Sequence, residues 1–362
     1  MSSEMQDLTA VSAGDGSPGE LSFLWLEITG KCNLECIHCY ANSGPRQQMR
    51  GKMHADDWLA VLQESAELGC RQVQFIGGEP TLHPDLLDMI SFAAVLNYRF
   101  IEVFSNATTL DAALLQFFSE KGVRIATSFY SDSPDIHESI TKQKGSFART
   151  VAGLKRALSM GVPVRAGIIE MAANSGHVER AQAYLRNLGV TEINVDHQRE
   201  VGRGVRKSDR SAGSFEELCG ECWKGKLCVT SMGRTYPCVF SRFIDLGDSG
   251  EGLSRILSGH RLLGFRSGFR NYLADREPNI GELQSTESAP EAGGEPSHLQ
   301  REGVSSSSQT CSPGQECGPT RTCSPCGPEF FCVPKGPSPC SPNRPCAPAL
   351  QPGPSCIPET IR

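Results

Sequence analysis

Over the first two hundred residues, apolar side chains recur in two alternating rhythms. Leu24-Trp25-Leu26-Glu27-Ile28 is a short apolar run of the kind that fills a buried strand. Residues 56–68 then set Trp58, Leu59, Leu62, Ala66 and Leu68 at helical spacing, entered through His54-Ala55-Asp56. After Gly69 comes the strand Val73-Gln74-Phe75-Ile76. The exchange continues with a helix at about 85–96, strand Glu102–Ser105, a helix at about 111–121 and strand Arg124–Phe129. A helix at about 147–160, strand Val164–Glu170, a helix at about 177–188 and strand Glu192–Val195 complete it. Six strand–helix alternations with short connections predict a parallel sheet under a layer of helices. A full eight-unit barrel needs two more units, and the sequence does not offer them. The expected fold class is α/β, a partial (β/α)6 TIM-like barrel over residues 21–200.

Beyond residue 200 the rhythm stops. Gly202-Arg203-Gly204 opens a loop-rich stretch, residues 201–270, holding Cys219, Cys222, Cys228 and Cys238. Residues 271–310 are Ser, Glu, Gly and Pro with few apolar side chains, which cannot bury a core and read as linker. The tail, 311–362, sets eight cysteines and twelve prolines between Cys311 and Cys356. With almost no aliphatic content it folds around metal or disulfides, or not at all. Residues 1–20 are polar, acidic and rich in Ser and Gly, and read as a disordered N-terminus.

Charge and composition narrow the field. The net charge is −6, with no basic run or basic–aromatic face, so nucleic acid is not an expected partner. No stretch reaches the apolar length of a membrane span. Met1 to Glu20 has no basic region followed by an apolar core, so no secretory signal is read there. Sixteen cysteines without an export signal are expected as reduced metal ligands in the cytoplasm.

The cysteines near the start carry the sharpest chemistry. Cys32, Cys36 and Cys39 stand as Cys-x-x-x-Cys-x-x-Cys, followed at once by Tyr40. Three thiolates leave one iron of a four-iron cluster without a protein ligand, and an open iron can do chemistry. A structural zinc site closes its shell with a fourth ligand, and His38, between two cysteines, reads as a spacer. Gly77-Gly78-Glu79-Pro80 ends the second strand at the rim where barrel active sites gather. Paired glycines let backbone approach a ligand, and the proline fixes the turn. Ser105-Asn106 ends the third strand, where its side chains serve either a ribose hydroxyl or a local turn.

Lys31 to Tyr40 resembles the cluster loop of the radical S-adenosylmethionine (SAM) enzymes, and the resemblance covers roughly residues 21–245. It implies a [4Fe-4S] cluster on Cys32, Cys36 and Cys39, with SAM chelating the fourth iron and yielding a 5'-deoxyadenosyl radical on one-electron reduction. It further implies SAM contacts at Tyr40, Gly77, Gly78, Glu79, Ser105, Asn106, Ser128 and Arg149, and an adenine contact within Gly167–Glu170. An arginine suits the SAM carboxylate because its planar fork matches two oxygens. Two departures are plain. Ala107 stands where the family's Thr-Asn-Gly has glycine, and Ser128-Phe129-Tyr130-Ser131 replaces its Ser-Leu-Asp-Gly.

Cys222-x10-Gly233-x4-Cys238 resembles the opening of the SPASM or twitch extension, which holds auxiliary iron–sulfur clusters. Cys219, Cys228, and Cys323, Cys326 and Cys332 in the tail are further candidate ligands of that kind. A zinc knuckle is the competing reading of the same cysteines. Cys340 follows Cys332 after seven residues where the pattern has three.

The favoured function is hydrogen abstraction from a ribosomally made precursor peptide, giving a crosslink, a thioether or an epimerised residue. Flavodoxin or ferredoxin is the expected electron donor. Residues 1–20 are too short to grip a leader, so a separate leader-recognition protein or the tail itself is expected to serve. A radical dehydrogenase acting on a small molecule is one alternative. A metal-binding or redox protein working through its Cys-rich tail is another.

Overall fold

The computed structural model describes residues 19–205 and 214–276. The expectations for residues 1–18, for 277–310 and for the tail with Cys323, Cys326 and Cys332 lie outside the described residues.

Alternation along each strand builds the architecture. In β1 (Phe23–Thr29) Leu24, Leu26 and Ile28 are fully buried, and in β2 (Gln72–Gly77) Val73 and Phe75 are. Val103 of β3 (Phe100–Phe104) and Ile125 of β4 (Arg124–Phe129) continue that face, as do Ala166 and Ile168 of β5 (Val164–Glu170). These side chains join one core with the helices α1 (Ala55–Glu67), α2 (Leu86–Val95), α3 (Ala112–Glu120), α5 (Ser146–Ser159) and α6 (Val178–Leu188). Trp58 on α1 is wholly enclosed there. Since neighbours on a strand point to opposite faces, Glu27, Gln74, Glu102, Arg165 and Gly167 line the other, inner face.

Six parallel strands, ending in β6 (Glu192–His197), run in the order β6-β5-β4-β3-β2-β1. This is the partial barrel that the alternation predicts. The inner face is polar but internally neutralised. Glu102, fully buried, takes Arg165 Nε at 2.8 Å and Nη2 at 2.7 Å, and Gln74 donates to the same carboxylate.

Two features exceed the expected outline. One is α4 (Pro134–Thr141), between β4 and α5. Its start is written as Ser133-Pro134, a capping residue followed by the proline that suits a first helical position. The other is that the stretch after residue 200 continues the barrel sheet. β7 (Lys226–Thr230) pairs parallel to β1, from Phe23 opposite Lys226 to Glu27 opposite Thr230. β8 (Arg234–Tyr236) turns back against β7 through Gly233, whose φ of 76° is the left-handed conformation glycine adopts freely. β9 (Gly247–Asp248) completes the sheet. Helices α7 (Leu253–Ser258) and α8 (His260–Ala274) follow, and α8 crosses the boundary expected at residue 270. Its buried Leu262, Phe265, Arg266 and Phe269 fall at helical spacing, a signal the loop-rich reading passed over.

Candidate functional site

The loop leaving β1 carries the three thiols, and it is braced from three sides. From below, the β2 turn presses against it. The Gly77 amide region and Gly78 lie so close that a Cβ on Gly78 would meet Lys31 O at 2.1 Å, and one on Gly77 would meet Thr29 O at 2.4 Å. Gly78 and Glu79 donate their N–H groups to Thr29 O and Lys31 O at 2.7 and 2.8 Å. The paired glycines thus bring the turn against the cysteine loop itself. From the side, α4 accepts two loop amides at its last carbonyls, Glu35 N to Thr141 O and Ile37 N to Ile140 O. From the C-terminal side comes Arg203. Its Nε and Nη2 bind Cys36 O at 2.8 Å and Ser43 O at 2.7 Å, and its N–H binds Cys39 O at 3.0 Å. Gly202-Arg203-Gly204 is thus a brace of the cysteine loop as well as the start of a new one. Glycine is required at 202, where a Cβ would sit 2.3 Å from Tyr40 O.

Cys32 is buried, while Cys36 and Cys39 are half-buried. Burial pushes the Cys32 and Cys36 thiols up to about 12. Hydrogen bonds to sulfur work the other way: Leu34 N–H reaches Cys32 Sγ at 3.4 Å and the Asn106 amide at 3.7 Å. Tyr130, just past β4, is buried beside the loop with its ring edge-on to His38 at 5.1 Å, and burial raises its pKa well above the ordinary value.

Glu79 is the hub of the turn. Its Oε1 accepts from Thr81 N at 3.1 Å, Thr81 Oγ1 at 2.7 Å and Ser105 Oγ at 2.8 Å, and its Oε2 accepts from Asn106 N at 2.7 Å. The carboxylate is fully enclosed, and burial raises its pKa. It locks the ends of β2 and β3 together. Asn106 in turn donates to Asn33 Oδ1 at 2.7 Å on the cysteine loop. Ala107 keeps a left-handed φ of 61° beneath α5, where the resembling pattern has glycine.

The other expected SAM contacts are spread around the rim. Ser128 lies on the inner face of β4, one residue before its end. Tyr40 is half-buried between Phe240, 5.5 Å away edge-on, and the Arg242 guanidinium at 5.7 Å; Arg242 also pairs with Glu27 on the inner face. Arg149 is exposed, with its guanidinium turned back to Lys144 O at 3.4 and 3.5 Å.

Within the extension, Cys222 Sγ lies 3.6 Å from Cys219 Sγ and 2.9 Å from Cys238 Sγ. The hydrogen bond with Cys222 draws Cys219 down, against burial, and raises Cys222 in turn. Burial opposes the lowering of Cys238, which the bonds from Cys222 and Ser241 outweigh. Cys228 is buried in β7, with Arg242 and Glu27 as its charged neighbours. Among the described residues no three His, Cys, Asp or Glu side chains are poised around a single ion.

Residues 26–173 match the family model of the radical SAM superfamily. The chain is 29% identical over 245 residues to the PqqA peptide cyclase of Gluconobacter oxydans strain 621H, covering 63% of this chain and 68% of that one. It is 25% identical over 255 residues to AlbA, the antilisterial bacteriocin subtilosin biosynthesis protein of Bacillus subtilis strain 168, covering 61% and 56%. A probable GTP 3',8-cyclase of Methanothermobacter thermautotrophicus is 29% identical over 159 residues, covering 42% of this chain and 50% of that one. The chain thus spans from half to about two thirds of the length of these curated relatives. Streptococcus suis SuiB bound to S-adenosylmethionine superposes with a TM-score of 0.57 at 16% identity, over 69% of this chain and 68% of that one. Native anSMEcpe with bound AdoMet superposes at 0.54 and 17% identity, over 68% and 82%. The strand order and the family model lead to one conclusion: residues 26–173 of this chain are a domain of the radical SAM superfamily.

Proposed function

We propose that this chain is a radical SAM enzyme that abstracts a hydrogen from a ribosomally synthesised peptide during its maturation. The donor set fits the cluster the family implies. Three thiols share one braced loop, and two N–H donors reach the Cys32 sulfur. A [4Fe-4S] cluster held by Cys32, Cys36 and Cys39, with SAM on its open iron, supplies reductive cleavage and hydrogen abstraction when bound.

The protein's own groups do the holding. Backbone at Gly77 and Gly78 and side chains of Tyr40, Ser105, Asn106, Ser128 and Arg149 are the groups that would orient SAM. Glu79 acts through the turn, because its oxygens are already occupied by four donors. The neutral thiols of Cys32 and Cys36 must release protons as metal enters. Cys219, Cys222 and Cys238 form a second thiol group suited to an auxiliary cluster, and they flank the SPASM-like hairpin of β7 and β8.

The inner wall is the observation that favours a peptide over a nucleotide. A triphosphate needs uncompensated cations, whereas Arg165 is neutralised by Glu102 and Arg242 by Glu27. The peptide-handling names of two curated relatives point the same way. A precursor peptide, a separate leader-recognition protein and a flavodoxin or ferredoxin donor are the partners this reading calls for, in the cytoplasm. No helix among the described residues is long and apolar enough to cross a membrane.

Anaerobic reconstitution with iron and sulfide, then dithionite and SAM, tests the chemistry. The wild type should release 5'-deoxyadenosine; Cys32→Ala should release none, and Cys222→Ala should keep SAM cleavage within a few-fold. Co-expression with a candidate precursor peptide should leave a mass change on the peptide. Absence of 5'-deoxyadenosine from the wild type sinks the enzyme reading, and an unchanged peptide beside active SAM cleavage sinks that peptide as the substrate.

A further inference from the structure

We propose that Arg203 is a positioning residue that raises the reduction potential of the cluster, through a positive charge fixed on the cysteine loop. This rests on the reading of Cys32, Cys36 and Cys39 as cluster ligands. The guanidinium is anchored by two hydrogen bonds, Nε to Cys36 O at 2.8 Å and Nη2 to Ser43 O at 2.7 Å. The residue's own N–H binds Cys39 O at 3.0 Å, so main chain and side chain hold the loop together. Only a bare backbone fits beside it. A Cβ at Gly202 would lie 2.5 Å from Cys39 O, so the turn Gly202–Gly204 is laid main chain against main chain.

The partners of this guanidinium set it apart. Arg165 is neutralised by Glu102, Arg199 by Asp196 and Arg242 by Glu27. Arg203 meets neutral carbonyls on the loop, and among the described residues no carboxylate pairs with it. A guanidinium does not lose its proton in a protein, so the charge is permanent. The bond to Cys36 O keeps it within about 8 Å of the Cys36 sulfur, because that oxygen and sulfur belong to one residue. A cluster becomes more negative by one charge on reduction, and the charge around it is one of the levers on its potential. A half-buried cation at that range favours the reduced form about tenfold. The electron comes from the external reductant, and Arg203 gives up no proton.

The test compares Arg203→Gln, which removes the charge, with Arg203→Lys, which keeps the charge and loses the planar fork. Wild type and variants are reconstituted anaerobically with iron and sulfide. Iron content, the electronic absorption of the cluster and its reduction at poised potentials are measured. In Arg203→Gln the ratio of reduced to oxidised cluster should be about tenfold lower at a given potential, equal to about 59 mV for one electron. Arg203→Lys should keep the wild-type ratio within about threefold. Arg46→Gln is the control, since Arg46 pairs with Glu35 of the same loop at 3.2 Å but is 90% exposed; it should leave the potential unchanged. An unchanged potential in Arg203→Gln overturns the proposal, as does an equal fall in Arg203→Lys or Arg46→Gln. An Arg203→Gln protein that takes up no iron confines the residue to bracing the loop and overturns it too. A wild type that takes up no cluster overturns instead the reading of the three cysteines beneath it.

Discussion

Two groups of cysteines in one chain are prepared for metal in opposite ways. The thiols of the β1 loop are placed by backbone: glycine turns, helix α4 and Arg203 hold the loop, and burial keeps Cys32 and Cys36 protonated up to about 12. The thiols of the extension are placed by one another. Cys222 touches both Cys219 and Cys238, and the contact lowers those two thiols while raising its own. A site framed by backbone can leave one coordination position open without collapsing. A site framed by thiol contact takes charge early and has more to gain from a complete metal shell.

Glycine substitutions should break this contrast most sharply. Gly78→Ala drives a methyl into Lys31 O, and the displaced loop should cost about 10²-fold in 5'-deoxyadenosine formation. Gly233→Ala, at the hairpin of the extension, meets only the Asp248 carboxylate at 3.2 Å and a left-handed φ, so about 1–2 kcal/mol of stability should go while SAM cleavage stays within a few-fold. Equal losses of activity in the two variants would show that both thiol groups serve radical formation.

Removal of one carboxylate from each region gives the next largest difference. Glu79→Ala strands four donors in a closed interior and should cost about 4 kcal/mol in chemical denaturation. Asp245→Ala removes the partner of Arg234, both side chains 39% exposed, and should cost less than about 1 kcal/mol.

A pH titration sharpens the comparison further. Burial lowers His137, on the helix that braces the loop, to about 4. Between about 4 and 6.5 the unfolded chain binds this proton and the folded chain does not, so stability rises with pH across that window. The contribution is fully present above 6.5, is lost as pH falls toward 4, and amounts to about 3 kcal/mol. His137→Phe, among Phe129, Tyr130 and Phe147, should flatten that slope in denaturation midpoints measured from pH 4 to 7. An unchanged slope would assign the acid sensitivity to other groups.

Much of this was legible in the chain, and the reasons are specific. The six strand–helix units show because a buried parallel strand is a bare apolar run, such as Val73 to Ile76, closed by glycine. The cysteine loop shows because spacing alone encodes it. The bonds that tie Glu79 to β3 do not show, since Ser105 and Asn106 become its neighbours only when β2 and β3 pair. Arg203 was hidden for the same reason: the carbonyls it binds are about 160 residues or more earlier in the chain.

The parallel pairing of β7 with β1 also has a kinetic meaning. Strand β1 leaves the ribosome well before it is finished, because its far edge waits for Lys226 to Thr230. Until then β1 presents an open row of amides and carbonyls directly beside the cysteine loop. Such a long closure predicts slow completion of the sheet and a nascent chain prone to pairing with its neighbours. A chain stopped near residue 200 would carry all three loop cysteines and still lack the strand that closes the edge beside them.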